Sequence, residues 1–559
     1  MSIWPQRDEF LEIVRLGRDS ARGPDDVLAI PLGLRLMGDQ LTPVLVYRRL
    51  VVHDERTDPS FLLESVEGGQ RVGRYSLMGA QPLIELVARA DDVAIRDRRP
   101  GAPAQALAGR HADPLATAQR ITATMRLITP AQGPRGRLPA SFLGGWVGFA
   151  GYDTVRYVEP EKLRLASAPP DDRNLPDLAL GFYDRIVVFD HVETIVHAVC
   201  LAMVGPGDDP GAVYDKAAAG LRATSRALQM HSKPLPSGEL DDGGLGATTL
   251  GASAPRSNMT PAQHASIVER AKAYIRAGDI FQVVLGQRFE RTSTADPFDV
   301  YRALRAINPS PYMGYLQSSG CILVASSPEI LCRVRRDPRG RLIVTNRPLA
   351  GTRRRGATHE DDLALERELL ADAKERAEHV MLVDLGRNDV GRVAWPGSVR
   401  TPALMEVERY SHVMHISSTV EGELRDGLSC WDAMRAALPA GTISGAPKVR
   451  AMQIIDELEP VRRGPYGGGF GCVSLAGDMD FALTLRTMVV PTALRQNGRW
   501  TYHIQAAGGI VADSQAPAEY QETVNKAAAL QRAIDVAESA FAGQEQPSKP
   551  ASPTVESLA

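Results

Sequence analysis

The sequence lacks the features that mark exported, membrane-spanning or nucleic-acid-binding proteins. It has no uninterrupted apolar stretch long enough to cross a bilayer, and its opening residues, MSIWPQRD, contain no apolar core of a signal peptide. Lys and Arg number 64 against 67 Asp and Glu, and the net charge of −3 gives no general attraction to nucleic acid or to an anionic membrane. We therefore predict a cytoplasmic protein with no nucleic-acid or membrane partner, whose function concerns small molecules.

Cysteine is scarce as well. The five cysteines are widely scattered and include no Cys-x-x-Cys pair; they are Cys200, Cys321, Cys332, Cys430 and Cys472. An odd number without paired spacing argues against a disulfide framework and against a zinc site. We expect all five to be reduced thiols.

The chain has the composition of an ordinary globular protein, with 44% apolar and 23% charged residues, and its 559 residues exceed the usual range of one domain. Gly, Ser, Pro and Asp are frequent in residues 231–258, which predicts a flexible linker between an N-terminal region, 1–230, and a second region, 259–542. The polar tail, 543–559, predicts disorder. We expect the linker to divide two halves of the sequence rather than two independent domains.

Local patterns predict alternating strands and helices. Residues 1–26 predict a short amphipathic helix, and another is expected to begin at Pro261 after a Thr260 cap. Many short strands with intervening helices favour an α+β architecture, although periodicity does not fix the topology. The clearest strands are expected at residues 44–52, 141–149 and 185–190.

One motif, PAGTISGAPK at residues 439–448, combines prolines, glycines, hydroxyls and a lysine between two segments with helical patterning. Such a stretch can hold backbone amides and polar side chains around an anion, although alone it is better explained as an ordinary surface turn. Further motifs follow it: PYGGGFG at 465–471, DFALTLR at 480–486, QAAGG at 505–509 and EYQETVNK at 519–526.

This ordered series resembles the chorismate-utilising enzymes, and among them most closely the anthranilate synthase component I family. The resemblance is dense from about residue 260 to 530 and patchy before. It implies a fold of two antiparallel β-sheets packed as a sandwich with helices on the outside, to which both regions contribute. It also implies that residues 259–542 form the chorismate-binding catalytic region.

Two glutamate pairs share one spacing: Glu375 and Glu378, and Glu519 and Glu522. On a helix each pair lies on one face, and carboxylates facing each other across a cleft repel unless protons or a hard cation relieve them. Alone, each pair is better explained as a solvated helix face. The resemblance implies that Glu378 and Glu522 are ligands of Mg²⁺, with Glu375 and Glu519 acting behind them or through water.

The substrate implied by the resemblance is chorismate, a dicarboxylate. A cation would neutralise its ring carboxylate and polarise the ring, and basic groups and amide donors would hold the other carboxylate. The matching positions in this sequence are Gly351, Thr352, Thr442, Tyr466, Arg486, Ala507, Gly508, Gly509 and Lys526.

Four positions of the resemblance bear on the reaction. Gln282 lies where isochorismate and salicylate synthases carry a lysine that activates water, and Ala350 lies where many aminodeoxychorismate synthases carry a lysine nucleophile. Glu329 matches the general acid that protonates the departing ring hydroxyl, and His415 matches the histidine of the step that releases pyruvate. The sequence leaves open whether His415 moves a ring proton or positions the substrate. The resemblance thus implies a carbon–oxygen lyase that adds ammonia directly and forms anthranilate, at the first committed step of tryptophan biosynthesis.

The sequence has no cysteine-containing nucleophile elbow, so we expect a separate glutamine amidotransferase subunit, anthranilate synthase component II, to supply ammonia. The resemblance further implies feedback inhibition by tryptophan. The motifs LLES at 62–65 and NPSPYM at 308–313 match that site, whose contacts would be Ser65, Pro311, Tyr312 and Met313.

Two other functions remain open. One is an aminodeoxychorismate or aminodeoxyisochorismate synthase component I, the first of which Ala350 disfavours. The other is an inactive tryptophan-sensing or scaffold homologue, against which the following residues argue: Glu329, Glu378, His415, Arg486 and Glu522.

Overall fold

The structure is a computed structural model that describes residues 2–20, 23–51, 56, 58–67, 71–130, 137–230, 238, 255–410 and 413–541. The predicted tail, 543–559, and most of the predicted linker lie outside the described residues. The last residues of that linker, Arg256–Ser257, form a short strand.

Several described helices begin at a side-chain cap, such as Thr260, whose hydroxyl accepts from the Gln263 amide while the Gln263 side chain accepts from the Thr260 amide. The helix predicted to follow Thr260 is thereby confirmed. No described helix is both long and apolar enough to cross a membrane. The helices are α1 Arg7–Asp19, α2 Pro43–Leu50, α3 Pro114–Thr122, α4 Val155–Val158, α5 Pro210–Gln229, α6 Pro261–Ala277, α7 Pro297–Ile307, α8 His359–Ala371, α9 Ala373–Gly391, α10 Cys430–Ala437, α11 Gly441–Ser444, α12 Lys448–Leu458 and α13 Ala516–Ala540.

The strands alternate with these helices along the whole described chain. They are β1 Val27–Met37, β2 Ser60–Glu64, β3 Val66–Glu67, β4 Arg71–Val72, β5 Tyr75–Ala80, β6 Ile84–Arg89, β7 Asp92–Asp97, β8 Gly109–Arg110, β9 Met125–Leu127, β10 Gly145–Ala150, β11 Leu178–Tyr183, β12 Arg185–Asp190, β13 Ile195–Val204, β14 Arg256–Ser257, β15 Gln282–Ser293, β16 Tyr312–Ser318, β17 Cys321–Ser327, β18 Ile330–Arg336, β19 Leu342–Arg347, β20 Leu349–Arg354, β21 Arg400–Arg409, β22 Val413–Glu423, β23 Gly445–Ala446, β24 Gly469–Ser474, β25 Met479–Leu483, β26 Thr487–Pro491 and β27 Trp500–Ile510.

Two large sheets contain nearly all of these strands. The first has the order β14-β15-β27-β26-β17-β16-β2-β5-β12-β13-β1-β9, with β23 beside β15. The second has the order β20-β22-β19-β18-β25-β24-β10-β11-β6-β7-β8, with β21 beside β22. Strands from both halves of the sequence pair directly, β2 with β16 and β10 with β24. Among the described strands, β1 and β9 pair in parallel, and the other pairs are antiparallel.

The two sheets pack face to face through an apolar layer that includes Phe61 and Leu323 of the first sheet and Phe149, Phe470 and Ala482 of the second. On the outer face of the first sheet, α2, α7 and α13 bury a second apolar cluster. On the outer face of the second, α3, α9 and α10 bury a third. The predicted α+β sandwich with outer helices is therefore confirmed.

The strand predicted at residues 44–52 is wrong, because residues Pro43–Leu50 form α2. The Thr42 hydroxyl accepts a hydrogen bond from the Leu45 amide, and Pro43 occupies the first turn. Buried Val44, Val46 and Tyr47 then pack as a helix face, so the cap and the packing override the strand preference of β-branched residues.

The strand predicted at residues 141–149 begins later, at Gly145, because Gly144 and Gly145 adopt positive φ and interrupt the extended chain. The strand predicted at residues 185–190 is confirmed as β12.

Candidate active site

His415 and Thr352 lie directly opposite each other on β22 and β20. The Nδ1 atom of His415 lies 3.1 Å from the carbonyl oxygen of Gly351 and 3.0 Å from the Thr352 hydroxyl. Because a carbonyl oxygen only accepts, Nδ1 carries the proton and Nε2, which is buried and has no partner in the described part of the chain, presents its lone pair. Burial, reinforced by the Arg486 charge, lowers the pKa of His415 to about 4, and the imidazole is neutral.

The Gly351 carbonyl reaches His415 because β20 is bulged. The register between β20 and β22 shifts between Ala350 and Thr352, and Gly351 adopts a φ of +67°. A bulge with a left-handed glycine turns the local carbonyl out of the ladder. The backbone thus sets which nitrogen of His415 is free.

Glu329 lies in the connection between β17 and β18 and is only 5% exposed. The Thr442 hydroxyl, on α11, donates to Glu329 Oε1 over 2.8 Å. Burial raises the pKa of Glu329 to about 8, although this hydrogen bond and one from the Leu349 amide oppose the shift. Of the described residues, no charged side chain contributes to that shift. Glu329 therefore holds a proton at neutral pH, as a general acid must.

Gln282 begins β15 and lies against Gly509 of β27, where a Cβ atom on Gly509 would come within 2.7 Å of the Gln282 side-chain nitrogen. The side-chain oxygen of Gln282 is buried and has no partner among the described residues. A Cβ atom on the neighbouring Gly508 would come within 3.0 Å of Glu519 Oε2. The QAAGG motif thus lets β27 approach both Gln282 and a glutamate of α13.

The four predicted glutamates come together, with Glu375 and Glu378 on α9 and Glu519 and Glu522 on α13. Burial raises the pKa of Glu378, Lys374 opposes the shift, and the charges of Glu375, Glu519 and Glu522 add to it. Burial and Glu522 likewise raise the pKa of Glu519, against a hydrogen bond from Ser514. The two helices therefore carry mutually repelling carboxylates into one cleft.

These carboxylates fit a hard divalent cation. Glu519 Oε2 is buried and lacks a hydrogen-bond partner among the described residues, and a cation would supply that partner and relieve the repulsion. Glu375 is partly occupied, because Arg353 Nη1 lies 3.2 Å from its Oε1. Glu522 lies 2.6 Å from Lys526 Nζ. Magnesium binds through one or two carboxylates and keeps several waters, so a few freed oxygens suffice.

A tighter group of possible metal ligands lies elsewhere in the described chain. Ligand atoms of Asp190, Glu193 and His197 all lie within 4.8 Å of one another. Asp190, however, accepts hydrogen bonds from Arg74 and from the Val192 and Glu193 amides. Its oxygens close the turn between β12 and β13, so this group is a structural turn and not a cation site.

The basic side of the cleft consists of Arg486 and Lys526. Arg486 follows β25, adopts a φ of +45°, which is uncommon outside glycine, and pairs with no carboxylate in the described ranges. Burial lowers its pKa, against the Tyr410 hydroxyl. Lys526 donates to the carbonyl oxygen of Ala507 over 2.9 Å, and the Ala507 amide donates to buried Tyr466. Arg486 is thus a half-buried cation without a carboxylate partner among the described residues.

The PAGTISGAPK motif forms α11 and β23 and continues into α12. Its lysine is already neutralised, because Lys448 Nζ lies 2.7 Å from both carboxylate oxygens of buried Asp389. Of its polar side chains, Thr442 reaches Glu329, while the Ser444 hydroxyl donates to the carbonyl oxygen of Ala440. The motif therefore supplies the hydrogen-bond donor to Glu329, and its lysine anchors α12 to α9.

The comparisons with known proteins agree with this geometry. A family described as chorismate binding enzyme matches residues 58–532. The chain is 54% identical to "Anthranilate synthase alpha subunit 1, chloroplastic" of Oryza sativa subsp. japonica over 526 residues, 92% of this chain and 89% of that protein. It is 44% identical to "Anthranilate synthase component 1" of Pseudomonas aeruginosa, across 95% of this chain and 99% of that one.

This chain belongs to the chorismate-binding enzymes. The family resemblance seen in the sequence is thereby confirmed, with anthranilate synthase component I chains as relatives. The crystal structure of anthranilate synthase component I from Streptococcus pneumoniae matches it with a TM-score of 0.66 at 33% identity, covering 89% of this chain and 99% of that one. The isochorismate synthase MenF of Escherichia coli, at 17% identity and a TM-score of 0.62, shares the fold.

This chorismate-binding enzyme also brings together the residues predicted for an inhibitor site. Glu64 of β2 pairs with Met313 of β16, which places Ser65 beside Tyr312. The hydroxyl of Tyr312 accepts from Arg333 Nη2 over 2.7 Å, and Pro311 directly precedes Tyr312 in the chain. Tyr312 and Met313 begin β16 of the first sheet, Pro311 precedes that strand, and Ser65 follows the end of β2.

Sequence reasoning missed several groups at the active site. Arg463 and Glu459 form a buried ion pair beneath Tyr466, and Tyr410 lies against His415 with ring centroids 5.7 Å apart. Arg463 lies just before the PYGGGFG motif, and Tyr410 lies between β21 and β22. Only the fold shows what these two side chains contact. The Leu349 amide, as a backbone donor to Glu329, leaves no signal in the sequence.

The raised pKa of Glu329 makes protein stability depend on pH. Its pKa is about 8 in the folded chain and 4.5 ordinarily, so between these values the unfolded carboxyl ionises while the folded one does not. Stability from this group is complete below 4.5 and is lost as pH rises to about 8. Glu329→Gln cannot ionise, and its melting temperature relative to wild type should rise from pH 5 to pH 9, by the equivalent of about 3–5 kcal/mol.

Calorimetric melting at both pH values measures this change. Glu161→Gln, at an exposed glutamate, is the matched control and should show a pH-independent difference. A flat difference for Glu329→Gln as well would mean that the carboxyl is not held protonated by the fold.

Proposed function

We propose that this chain is the chorismate-converting subunit of an anthranilate synthase, a carbon–oxygen lyase that forms anthranilate and pyruvate from chorismate and ammonia at the first committed step of tryptophan biosynthesis. The observation that carries the proposal is the buried, protonated Glu329 held by Thr442 in the same site as a neutral His415. An acid and a base with opposed pKa shifts suit a reaction that protonates a leaving hydroxyl and then removes a ring proton.

In the first step, Glu329 gives its proton to the departing ring hydroxyl, which leaves as water while ammonia bonds to the ring. Ammonia needs no prior deprotonation to attack. Gln282 is an amide without a basic lone pair and cannot activate water, and Ala350 cannot form a covalent adduct. These two side chains leave ammonia as the nucleophile and disfavour isochorismate and aminodeoxychorismate chemistry.

In the second step, the ring loses a proton and the enolpyruvyl group leaves. His415 Nε2 has a free lone pair, and its neutral state is maintained by burial and by the Arg486 charge. It accepts the ring proton as the C–O bond breaks, and the enolpyruvate takes up a proton to become pyruvate. The Gly351 carbonyl stabilises the imidazolium through Nδ1.

Glu378 and Glu522 would hold a magnesium ion, with Glu375 and Glu519 behind them or through water. The ion would neutralise the ring carboxylate of chorismate and polarise the ring. Arg486, which pairs with no carboxylate in the part of the chain that the structure describes, would receive the enolpyruvyl carboxylate beside Tyr466. Lys526 and the Ala507–Gly509 backbone would close the cleft. In this arrangement the ion held by the glutamates would face the ring carboxylate of chorismate, and Arg486 would face the enolpyruvyl carboxylate.

We expect the purified chain with chorismate, ammonium and Mg²⁺ at alkaline pH to produce anthranilate, detected by its fluorescence. Removing the metal with EDTA should abolish turnover, and Mg²⁺ should restore it. Glu378→Gln and Glu522→Gln should each lower kcat/KM at least about 100-fold, because each removes a carboxylate ligand of the proposed magnesium ion.

Asp190→Asn is the control for these variants, because it lies in the other carboxylate group, and its activity should stay within twofold of wild type. Aminodeoxychorismate or aminodeoxyisochorismate as the product would replace the proposed function with the alternative. No turnover of chorismate under any of these conditions would contradict both.

Ammonia would come from a glutamine amidotransferase subunit, since ammonia is mostly protonated at neutral pH. We expect the chain alone to use ammonium but not glutamine. Adding anthranilate synthase component II should make glutamine a substrate near neutral pH, measured as anthranilate formed per glutamate released. Glutamine use by the isolated chain would contradict the need for a partner. We also infer a cytoplasmic location, although the rice relative is named chloroplastic.

Tryptophan would bind between Ser65 and the Pro311–Met313 segment. Support comes from Ser326. Its hydroxyl bonds Asn308 and Ser310, which begin the NPSPYM segment at 308–313, and its amide donates to the Arg486 carbonyl. A ligand that shifts the segment would thus act on the backbone of the substrate-binding arginine.

We expect tryptophan to inhibit the wild-type chain, and Ser65→Ala to raise the inhibitory concentration at least about fivefold, because a hydrogen-bond partner of the amino acid is lost. Initial rates with and without tryptophan measure this. Ser76→Ala, at a buried serine of neighbouring β5, is the control and should keep wild-type inhibition. Unchanged inhibition in Ser65→Ala would place the inhibitor elsewhere.

A further inference from the structure

Arg463 and Glu459 form an ion pair that is almost completely removed from solvent, with side chains 1% and 2% exposed. Arg463 Nε lies 2.9 Å from Glu459 Oε2, and Nη2 lies 2.6 Å from Oε1. The guanidinium also lies over the ring of Tyr152, 4.7 Å from its centroid, and 6.0 Å from that of Tyr466. The pair therefore lies directly beneath the candidate active site.

The remaining donors of Arg463 go to backbone that carries site residues. Nη1 donates over 2.7 Å to the carbonyl oxygen of Ile443, the residue after Thr442. Nη2 donates over 2.7 Å to the carbonyl oxygen of Val284, two residues after Gln282. Glu459 Oε1 accepts from the Gly286 amide on the same strand over 2.9 Å. One planar group thus links α11 to β15.

Stability alone does not explain such a pair. Desolvation of two charges offsets most of their attraction, and apolar residues of the same volume often stabilise a protein equally well. What an apolar replacement cannot do is fix two backbone carbonyls at set angles to each other. A lysine cannot do so either, because a single ammonium does not match the planar fork.

We propose that Arg463, held by Glu459, is a positioning residue for the reaction: through the Ile443 carbonyl it keeps the Thr442 hydroxyl on Glu329. This inference rests on the proposed function. It predicts that loosening Arg463 changes the protonation of Glu329, because the Thr442 hydrogen bond stabilises the carboxylate form.

The test uses Arg463→Lys, with Arg291→Lys as the matched control. Arg291 is a buried arginine of β15, the strand that also contains Val284. It is ion-paired with Asp535 and Glu538 and donates to the Gln531 carbonyl. It lies seven residues beyond Val284, about 23 Å along an extended strand, and so is remote from the acid.

The first readout is the infrared band of the protonated Glu329 carboxyl, identified as the band missing in Glu329→Gln. Its titration midpoint should move to higher pH in Arg463→Lys and in Thr442→Val, and should stay at the wild-type value in Arg291→Lys. The second readout is kcat with ammonium, which should fall about 10- to 100-fold in Arg463→Lys and stay within twofold in the control.

The double variant Arg463→Lys/Thr442→Val should lose less than the sum of the two single effects, because both act on one hydrogen bond. Glu459→Gln provides a second route to the same loosening, should Arg463→Lys not fold. An unmoved midpoint in folded Arg463→Lys, additive effects, or misfolding of both pair variants beside a folded control would each overturn the proposal. The infrared titration needs no turnover, so an inactive wild-type chain would contradict the proposed function alone.

Discussion

Exclusion of water from the site sets the protonation of its residues. Burial raises the pKa of Glu329 and lowers that of His415, and the two groups are thereby fixed as acid and neutral base. The same desolvation raises the pKa of Glu378 and Glu519 and lowers that of Arg486, which destabilises each charge until an opposite charge arrives. A dicarboxylate ligand bound together with a divalent cation would offset the desolvation of all three charges, those of Glu378, Glu519 and Arg486. The site is thus strained electrostatically in a pattern complementary to one class of substrate.

The sandwich makes the burial of Glu329 and His415 possible because it gathers distant segments around one site. Glu329 comes from the connection between two strands that belong to different sheets, β17 and β18, and Thr442 from a short helix over 100 residues later in the chain. His415 lies on β22 of the second sheet and Gln282 on β15 of the first. The acid, the base and the amide therefore depend on both sheets and on the apolar layer that joins them. A change in how the two sheets pack would change the burial of these side chains and therefore their protonation.

The sequence predicted those parts of the fold and the site that rest on local signals. The Thr260 cap and the run of β-branched and aromatic residues in β12 are short-range features, and both appear in the structure as expected. The strand prediction for residues 44–52 was wrong because the helix start signal, Thr42-Pro43, lies just outside the β-branched run. Packing then decided between helix and strand. The glutamate pairs could be found from spacing, but their convergence is set by how α9 and α13 dock, which no local pattern encodes. For the same reason the link from Arg463 to Ile443 and Val284 could not be read from the chain.

Two buried ion pairs at the site illustrate how differently the same interaction can be used. Lys448 and Asp389 join α12 to α9 by a point charge that tolerates rotation about the lysine stem. Arg463 and Glu459 instead present a rigid fork whose outer donors reach α11 and β15. The first pair fixes the distance between two helices, whereas the second also fixes angles. A general acid needs the second kind of support, because its pKa changes with the direction of one hydroxyl. The desolvation penalty of the Arg463–Glu459 pair is therefore consistent with a role in geometry, because the pair fixes the backbone of α11 and β15 relative to each other.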